Sequence, residues 1–356
     1  MNGEHHESGE GDWCDHSDSG FRTLDGLSRE EILRALAGLD ERLRADSEDA
    51  YSLLARGMLH SRLGDDRRAT EDFTRVIELE PDNAEALENR AAARSDLGEL
   101  LLAREDYDAL IRLEPDNAVA LYSRGACLAK LGDLDGAVGD LDQAIALEPD
   151  DPIPYYNRGC THAEMGDPRR ALEDFDRAIA LAPTNPTFHH YRGMAHRELG
   201  ELDKAVSDFD TALRLEPLSN PSRNARAVAR VMQGEYDEAL ADFDAVLALD
   251  LDNADALSGR GVARSAFGNY EDGISDFTSA TRRIGRRKRE SAKGPVCTSM
   301  TMALGGSEVH GEKMNREMRR WENIKCGMVM GGWLGMACLG RKPGLGWTRP
   351  VAAGRA

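Results

Sequence analysis

Residues 117–150 read NAVALYSRGACLAKLGDLDGAVGDLDQAIALEPD, and the chain repeats this pattern seven times in succession. The repeats follow one another without an insertion or a deletion, so the period is 34 residues throughout. The seven units begin at Asp49, Asn83, Asn117, Asp151, Asn185, Ser219 and Asn253. A fixed period of this length is typical of an array of similar units that pack on their neighbours. Positions 1–34 below denote the place of a residue within its unit.

Each unit carries the signals of two helices joined by a tight turn. Position 1 is Asn, Asp or Ser, whose side-chain oxygens cap the start of a helix. Position 16 is glycine in every unit, which permits the left-handed backbone that ends a helix. Positions 21 and 25 hold a small and a large residue on one face of the second helix, and proline at position 33 of units one to five ends that helix. The pattern predicts two short antiparallel helices per unit.

These residues resemble the tetratricopeptide repeat family, in the Arg-Gly variant common in bacterial members. In unit three the matching residues run from Leu121-x-x-Arg124-Gly125 to Leu147-Glu148-Pro149, and the resemblance covers residues 49–286. It implies an all-α fold, an α-solenoid in which helix-turn-helix repeats form a right-handed superhelix. First helices would line a concave groove and second helices the convex side. It also implies a non-catalytic scaffold for protein–protein interaction.

The repeats divide the chain into four segments. We expect an acidic disordered tail at 1–27, an N-terminal capping helix at 28–48, repeats at 49–286 and a basic, Gly/Met-rich, poorly structured tail at 287–356. The predicted units are 49–82, 83–116, 117–150, 151–184, 185–218, 219–252 and 253–286. Ser28 with Glu31 matches a capping box, and Ile32, Leu36, Leu39 and Leu43 recur at helical spacing.

The last 70 residues differ sharply in composition from the repeats. They hold 13 Lys plus Arg against 5 Glu and contain no Asp, Phe or Tyr. One hypothesis is a basic tail that docks on an acidic surface or on membrane lipids; the other is a poorly structured extension, or even a mistranslated frame. A short helix around Met314, Met318 and Trp321 could also cap the last repeat. The alternative function is therefore a membrane-attached adaptor or enzyme accessory whose anchor or activity lies in this tail.

Composition narrows the classes of partner. The 356 residues include 45 Lys plus Arg and 64 Asp plus Glu, a formal net charge of -19. This acidic balance disfavours nucleic acid, and without a run of 18 apolar residues we expect no membrane span. The start, MNGEHHESGE, is polar and acidic, unlike a secretory signal, so we expect a cytoplasmic protein. The sequence leaves the oligomeric state open.

Arg at position 8 accompanies Asp at position 24 in every unit, from Arg56 with Asp72 to Arg260 with Asp276. Seven arginines could form a ladder for phosphate or carboxylate groups, because a guanidinium binds such groups bidentately. The interpretation that we favour is an ion pair between the two helices of each unit or between neighbouring units, because one Asp accompanies every Arg.

The candidate binding residues lie on one stripe of the first helix, at positions 6, 10 and 13. Position 6 reads Leu54, Glu88, Tyr122, Tyr156, His190, Asn224 and Ser258, whereas position 10 is small or apolar. The predicted peptide-binding groove comprises Tyr122, Tyr156, His190, Asn224, Arg197 and Met194. The rings could instead pack against neighbouring helices. Because the repeats are acidic, we expect a protein or peptide partner with basic residues.

The sequence favours neither an enzyme nor a cofactor protein. It contains no phosphate-binding glycine loop, nucleophile elbow or kinase signature. His162 and His196 share position 12 with His189 and His190 nearby, but no recognisable metal-ligand spacing completes a set. His5, His6, Cys14 and His16 could bind a metal adventitiously. Cys127 and Cys160 have the character of small buried residues rather than nucleophiles.

Overall fold

A computed structural model of the chain describes residues 27–291, all of whose regular elements are helices. Helix α1 spans Arg29–Ala45 and precedes seven helix pairs. The first helices of the pairs are α2 (Ala50–Arg62), α4 (Ala84–Asp96), α6 (Ala118–Leu131), α8 (Pro152–Glu164), α10 (Pro186–Glu198), α12 (Asn220–Gln233) and α14 (Ala254–Ala266). The second helices are α3 (Asp66–Leu79), α5 (Leu100–Leu113), α7 (Leu134–Leu147), α9 (Pro168–Leu181), α11 (Leu202–Leu215), α13 (Tyr236–Leu249) and α15 (Tyr270–Ser291).

Local sequence explains where the helices begin and turn. The side chain of Asn117 caps α6 by accepting a hydrogen bond from the backbone N–H of Ala120 at 2.8 Å. Six of the seven residues at position 1 cap in this way, Ser219 being the exception. The glycine at position 16 has φ between +76° and +98° in every unit, a conformation in which a β-carbon would be strained. Helix pairing therefore follows directly from residues that recur every 34 positions.

The helix pairs stack into one α-solenoid, as the repeat pattern predicts. Each helix packs against the next, and each first helix also approaches the first helix of the following unit, as α6 does α8. Within the described residues, second helices of neighbouring units make no such approach. The first helices therefore crowd together on the concave side of the stack. We call the surface formed there by positions 3, 6, 10 and 13 the groove.

The core is continuous across unit boundaries because buried residues of one pair contact the next. One cluster joins α12, α13, α14 and α15 through residues such as Ala227, Phe243, Leu257 and Ala280. The position 21 residues from Ala69 to Ala239 and the large residues at position 25 are almost inaccessible to solvent in units one to six. A unit in isolation would expose this face, so neighbouring units stabilise each other.

The arginine at position 8 joins three helices. Its Nη2 lies 2.5–2.7 Å from an oxygen of the position 24 aspartate in all seven units, and its Nε donates to the same carboxylate. The third nitrogen, Nη1, donates to position 26 of the preceding unit, which is Asp for five of the arginines and Thr74 for Arg90. Arg124 in this way donates to Asp140 within its own unit and to Asp108 of unit two at 2.8 Å. The ion-pair interpretation of the repeated Arg and Asp is confirmed, both within and between units.

The two carboxylates around each arginine differ in burial. Asp174 is 4% exposed, whereas the side chain of Asp142, which binds the same Arg158 from the preceding unit, is 55% exposed. The hydrogen bonds that the Arg158 guanidinium donates to Asp174 raise the pKa of that guanidinium. Because removal of the buried partner leaves a charge poorly solvated, the position 24 aspartate should contribute more to stability than the position 26 aspartate.

Helix α1 occupies the place of a missing second helix. Asp40 precedes Arg56 by 16 residues, the spacing between position 26 and the next position 8, and accepts from Arg56 at 2.8 Å. Ile32 and Leu36 pack with Leu59 of α2. The Ser28 hydroxyl accepts from the N–H of Glu31, and the Glu31 carboxylate accepts from the N–H of Ser28 at 2.7 Å, so the capping box is present. This helix covers the first unit as a preceding unit would.

The other end of the array departs from the pattern. Helix α15 has 22 residues, whereas the other second helices have 14. Unit seven has Gly285 at position 33, but unit six also lacks a proline there, with Leu251, and its α13 still ends at Leu249. The missing proline therefore does not by itself explain the greater length of α15. The proposed disordered and basic tails, the possible cap at Met314, Met318 and Trp321, and the N-terminal histidines lie outside the described residues, apart from the positions at 27 and 287–291.

Aromatic rings at position 25 are fitted to position 9 of the same unit. A β-carbon added to Gly159 would lie 2.7 Å from the ring of Phe175, so glycine is needed there. Unit six has Ala227 at position 9, and its Phe243 instead approaches Gly259 of unit seven, where an added β-carbon would lie 2.4 Å from the ring. Unit two has Ala91, and the hydroxyl of Tyr107 hydrogen-bonds Ser123 of unit three. The ring at position 25 therefore packs against position 9 of its own unit or against position 7 of the next unit, depending on which of the two holds the smaller residue.

We expect Asp174→Ala to lower the free energy of unfolding by about 1 to 3 kcal/mol, because it leaves Arg158 without its buried partner. Asp142→Ala removes the exposed partner of the same arginine and should cost less than about 1 kcal/mol. Urea unfolding of both variants, followed by circular dichroism, gives the comparison. Equal losses would show that burial does not distinguish the two pairs.

Gly259→Ala should destabilise the protein by about 1 to 3 kcal/mol, because the new methyl group overlaps the ring of Phe243. Adding Ala227→Gly opens the other placement of the ring and should recover most of that loss. The coupling energy from a double-mutant cycle measures this compensation. Additive effects of the two substitutions would contradict the choice between two ring placements.

Candidate functional site

The stripe predicted to bind a peptide lies on the groove, and two of its rings, Tyr156 and His190, contact residues of the next unit. Tyr122, Tyr156 and His190 are all half-buried. They occur on α6, α8 and α10, which contact one another in sequence. The structure therefore places the three residues on successive helices of the same surface, each ring having one packed side.

Tyr156 belongs to an aromatic group between units four and five. Its ring centroid lies 5.3 Å from those of Phe188 and Tyr191 and 6.3 Å from that of Phe175. Burial raises the pKa of its hydroxyl, which also hydrogen-bonds Cys160 and Tyr191. Tyr156 therefore stabilises the packing between units four and five and also lines the groove. The sequence did not reveal that Tyr191, at position 7, contacts Tyr156 in this aromatic group.

Tyr122 lies at the acidic end of the groove. It packs against Ala118, Leu121 and Ala144, while burial and then the charges of Asp151, Glu88 and Glu148 raise the pKa of its hydroxyl. Glu114 and Glu148 also line an open pocket of about 400 Å³ at the junction of units two and three. Tyr122 thus offers an aromatic surface beside several carboxylates.

Two glutamates extend that acidic end into unit two. Glu88 is at position 6, and Glu85 is one turn earlier at position 3. Burial raises the pKa of both carboxyl groups, and for Glu88 the neighbouring Glu114 and Glu85 add to the shift. Within the described residues, neither carboxylate has a cationic partner within 4.0 Å. The i, i+3 spacing of Glu85 and Glu88 is the sequence signal that could have added position 3 to the predicted site.

His190 is held as a neutral ring between units five and six. Its Nδ1 lies 3.1 Å from the hydroxyl of Ser222, and its ring contacts Tyr191 and Phe209 at centroid distances of 5.2 and 5.7 Å. Burial, and then the positive charge of Arg197, lower the pKa of His190 to about 4. The ring is therefore an uncharged part of the groove at neutral pH.

The remaining predicted residues differ in their surroundings. Met194 packs against the cluster of Ala205, Phe209 and Ala225, so much of its side chain is in the core. Asn224 donates from Nδ2 to Asn253 at 3.3 Å, and its Oδ1 is buried with no hydrogen-bond partner. Arg197 is 9% exposed. These side chains in units five and six are thus packed closely against neighbouring helices.

The histidines at position 12 supplement the ion pairs. His162 Nε2 lies 3.7 Å from Asp174, and His196 Nε2 lies 3.8 Å from Asp208, the same carboxylates that bind the position 8 arginines. Arg94, Arg230 and Arg264 fill this place in units two, six and seven. His189 Nε2 donates to the backbone oxygen of Pro183, 2.9 Å away. No cluster of three or more potential metal ligands occurs within residues 27–291.

The two cysteines that the structure describes are both free. Cys127 is buried, with its sulfur 3.0 Å from the hydroxyl of Ser95. Cys160 is half-buried, and burial raises the pKa of its thiol to about 12. A thiol that stays protonated at neutral pH is a poor nucleophile, so the groove offers no activated cysteine at this position.

Sequence profiles agree with this geometry. A profile described as "Tetratricopeptide repeat" matches residues 156–220 and 224–287, a second with that description matches 50–83, and one described as "TPR repeat" matches 127–166. The chain belongs to the tetratricopeptide repeat family. The resemblance noted in the sequence and the α-solenoid that it predicted are both confirmed.

Several solved tetratricopeptide repeat structures share the fold. The APC/C hetero-tetramer Cut9–Hcn1 aligns with a TM-score of 0.58 and 20% identity over 65% of this chain and 46% of that chain, so the match spans less than half of its length. A tetratricopeptide repeat protein from Parabacteroides merdae aligns with a TM-score of 0.55 and 21% identity, over 66% of this chain and 93% of that protein. PilF of Pseudomonas aeruginosa aligns with a TM-score of 0.51 and 19% identity, over 62% of this chain and 96% of PilF. At these identities the likeness concerns the fold.

No curated protein matches the sequence of the chain. Between residues 27 and 291, no helix of this tetratricopeptide repeat array has both the length and the apolar character needed to cross a membrane. The proposed membrane anchor or activity of the C-terminal tail concerns residues outside that range.

Stability should fall between pH 6.5 and pH 4 because His190 resists protonation only in the folded state. Its folded pKa is about 4, below the ordinary value of about 6.5, so the unfolded chain takes up a proton first as the pH falls. Between pH 7 and pH 4.5, the loss of unfolding free energy in His190→Gln should be about 2 kcal/mol smaller than in the wild type. Urea unfolding at the two pH values measures it.

His60→Gln is the matched control for that measurement. It removes a histidine from a first helix but leaves the groove between units five and six intact. A change in pH dependence that occurs in His190→Gln but not in this control assigns the effect to the His190 ring. A His190→Gln variant with the same pH dependence as the wild type would show that the ring does not remain neutral.

Proposed function

We propose that the chain is a non-catalytic protein–protein interaction scaffold that binds a peptide segment of a partner protein along the groove. The observation that carries this proposal is a contrast between two sets of positions. Positions 8, 16 and 24 are the same in every unit and hold the helices together, whereas position 6 changes from Glu88 through Tyr122 and Tyr156 to His190. A row of different side chains on a regular support is suited to reading a specific sequence.

The charges of the groove indicate what kind of segment would bind. Glu85 and Glu88 are partly desolvated and have no cationic partner among the described residues. Carboxylates in that state gain most from an incoming Lys or Arg, because the ligand supplies the missing charge. We therefore infer that the partner segment carries basic residues at its unit-two end, while Tyr122 and its neighbours provide aromatic contact area.

A pool of acetylated and amidated dodecapeptides tests this proposal. Each peptide contains two adjacent Lys residues, and all other positions are randomised among uncharged amino acids. The Glu85→Lys/Glu88→Lys variant should bind selected peptides at least tenfold more weakly than the wild type, because it reverses the charge that attracts them. Fluorescence polarisation of labelled peptides with the full chain measures the affinity.

The matched control is Glu71→Lys/Glu173→Lys. Both residues are exposed on second helices, and the pair changes the net charge by the same amount. This variant should lose less than about twofold in affinity at 0.15 M salt, where distant charges are largely screened. Equal losses in the two variants would indicate a general charge effect, and no loss in either would place binding on another surface.

Tyr122→Leu examines the aromatic contribution separately. Leucine can still fill the contact with Ala118, Leu121 and Ala144, so the helices should keep their packing. Tyr122 is a better choice than Tyr156, whose ring also packs against Phe175, Phe188 and Tyr191. An affinity that does not change in a folded Tyr122→Leu variant would remove this ring from the proposed site.

A further inference from the structure

The last unit of the array exposes four large apolar side chains. Phe267, Tyr270 and Ile274 are 59%, 65% and 58% exposed, and Ile284 is 44% exposed. Phe267 directly follows α14, whereas the other three lie on α15. Tyr270, Ile274 and Ile284 lie on the same side of that helix, because their spacing is close to whole turns. We call the surface formed by these four residues the terminal face.

In unit six, the following unit covers the equivalent side chains. Tyr236 is at position 18, like Tyr270, and its ring centroid lies 6.4 Å from that of Phe267 in unit seven. Leu240 is at position 22, like Ile274, and packs against the core cluster to which unit seven contributes. Both side chains are only partly exposed. Tyr270 and Ile274 therefore lie where the repeat normally makes an interface, yet both are exposed.

The terminal face nevertheless differs from the face that receives a further repeat. Position 29 is a buried or half-buried Ile or Leu in units one to six but an exposed Thr281 in unit seven. Position 32 is acidic or alanine in the earlier units and becomes Ile284. An exposed apolar surface in a soluble protein indicates an interaction site. The changed residues indicate an occupant other than an eighth unit of the same kind.

Two charges without partners lie towards opposite ends of the exposed side of α15. Glu271 is in the first turn, and Arg282 follows it 11 residues later, almost exactly three turns along the helix. Both side chains are exposed, and neither makes an ion pair within the described residues. The adjacent Asp272 and Arg283 both have partners. A helix with a free acid at one end and a free base at the other is complementary to an antiparallel copy of itself.

We propose that the terminal face is a dimer interface, in which α15 packs antiparallel to α15 of a second copy of this chain around a two-fold axis. Glu271 of each copy binds Arg282 of the other copy, so the interface contains the same ion pair twice. The proposal goes beyond the peptide-binding groove and does not depend on it, because the terminal face lies at the end of the array.

The two ion pairs also fix the register of the helices. With Glu271 opposite Arg282, the two-fold axis passes between Ser275 of one copy and Thr278 of the other. The small side chains there allow the helices to approach, and Ile274 of each copy lies next to the axis. In the same register Tyr270 of one copy comes level with Ile284 of the other. The exposed apolar residues of α15 are thus covered by their own counterparts.

A second copy matches the terminal face better than a partner of another kind. A two-fold interface requires a surface that is complementary to itself, and opposite charges towards the two ends of one helix meet that requirement. A purely basic or purely acidic partner would match only one of the two charges. Two helices of this length contact over less than the roughly 800 Å² per partner of a standard interface. We therefore expect a reversible dimer that dissociates at micromolar concentration.

Sedimentation velocity of the full chain between about 1 and 100 μM tests the proposal. The wild type should form dimers as its concentration rises. Glu271→Arg and Arg282→Glu each place like charges opposite one another and should weaken dimerisation at least tenfold. An equimolar mixture of these two variants should form dimers again, because the arginines of one chain then face the glutamates of the other. The double variant Glu271→Arg/Arg282→Glu should also form dimers as the wild type does.

The matched controls are Glu173→Arg and Arg169→Glu, which make the same charge changes at exposed positions of α9. Each should form dimers as readily as the wild type. Ile274→Ser should weaken dimerisation at least tenfold, because it removes apolar surface next to the axis. Since Ile274 is exposed, this variant should keep the melting temperature of the monomeric wild type, measured by circular dichroism at 1 μM.

Three results would overturn the proposal. A wild type that stays monomeric at 100 μM shows that a second copy does not occupy the terminal face. Dimers that both charge reversals leave unchanged form through another surface. If the two charge-reversal variants are monomeric alone and also when mixed, Glu271 and Arg282 do not pair between copies. Each of these results leaves the proposed function of the groove unaffected, because no peptide takes part in the measurement.

Discussion

The bidentate pair between Arg at position 8 and Asp at position 24 is the interaction on which the rest of the array depends. One guanidinium has three donor nitrogens, so it holds its own second helix through one carboxylate and the preceding unit through another. Lysine could not replace it, because a single ammonium group lacks this planar arrangement of donors. The arginine therefore links the two helices of its own unit and joins that unit to the preceding one, and in unit one it reaches Asp40 of α1 in the same way.

Packing around this framework allows limited variation. The glycine at position 9 and the ring at position 25 are complementary, as for Gly159 and Phe175. In unit six Ala227 occupies the first place, and the space that Phe243 needs is found at Gly259 of the next unit. Changes at one position are thus compensated in the neighbouring unit. Such local compensation keeps the helix positions constant, so side chains on the groove can differ without altering the backbone that carries them.

The groove has a direction because its charges are distributed unevenly. Within the described residues, carboxylates without counterions lie at unit two, neutral rings follow in units three to five, and an unpaired guanidinium, that of Arg197, lies at the end of the stripe in unit five. Most other charges at the helix interfaces are neutralised by the repeated ion pairs. The carboxylates at unit two are consequently where a basic partner would gain most from binding, and they are not required by the framework.

The sequence alone determined the helix pairs, their boundaries and their order. Those properties depend on local signals, such as the cap at Asn117 and the positive φ at Gly132, that recur every 34 residues. The partnership of Arg and Asp could also be inferred, because one-to-one recurrence reveals it. The stripe at position 6 followed from helical periodicity, although which surface binds a partner is still a prediction.

Only the tertiary structure decided which atoms each side chain meets across unit boundaries. The role of the position 26 aspartate, the packing of Tyr156 with Tyr191, and the isolation of Arg197 all depend on residues about 16 to 35 positions apart. Periodicity gives the helix face on which a residue lies. It does not give the distance from that residue to the next helix or the fraction of its side chain that stays exposed to solvent. Burial and pairing are properties of the assembled stack, and the unpaired state of Arg197 is for that reason invisible in its own helix.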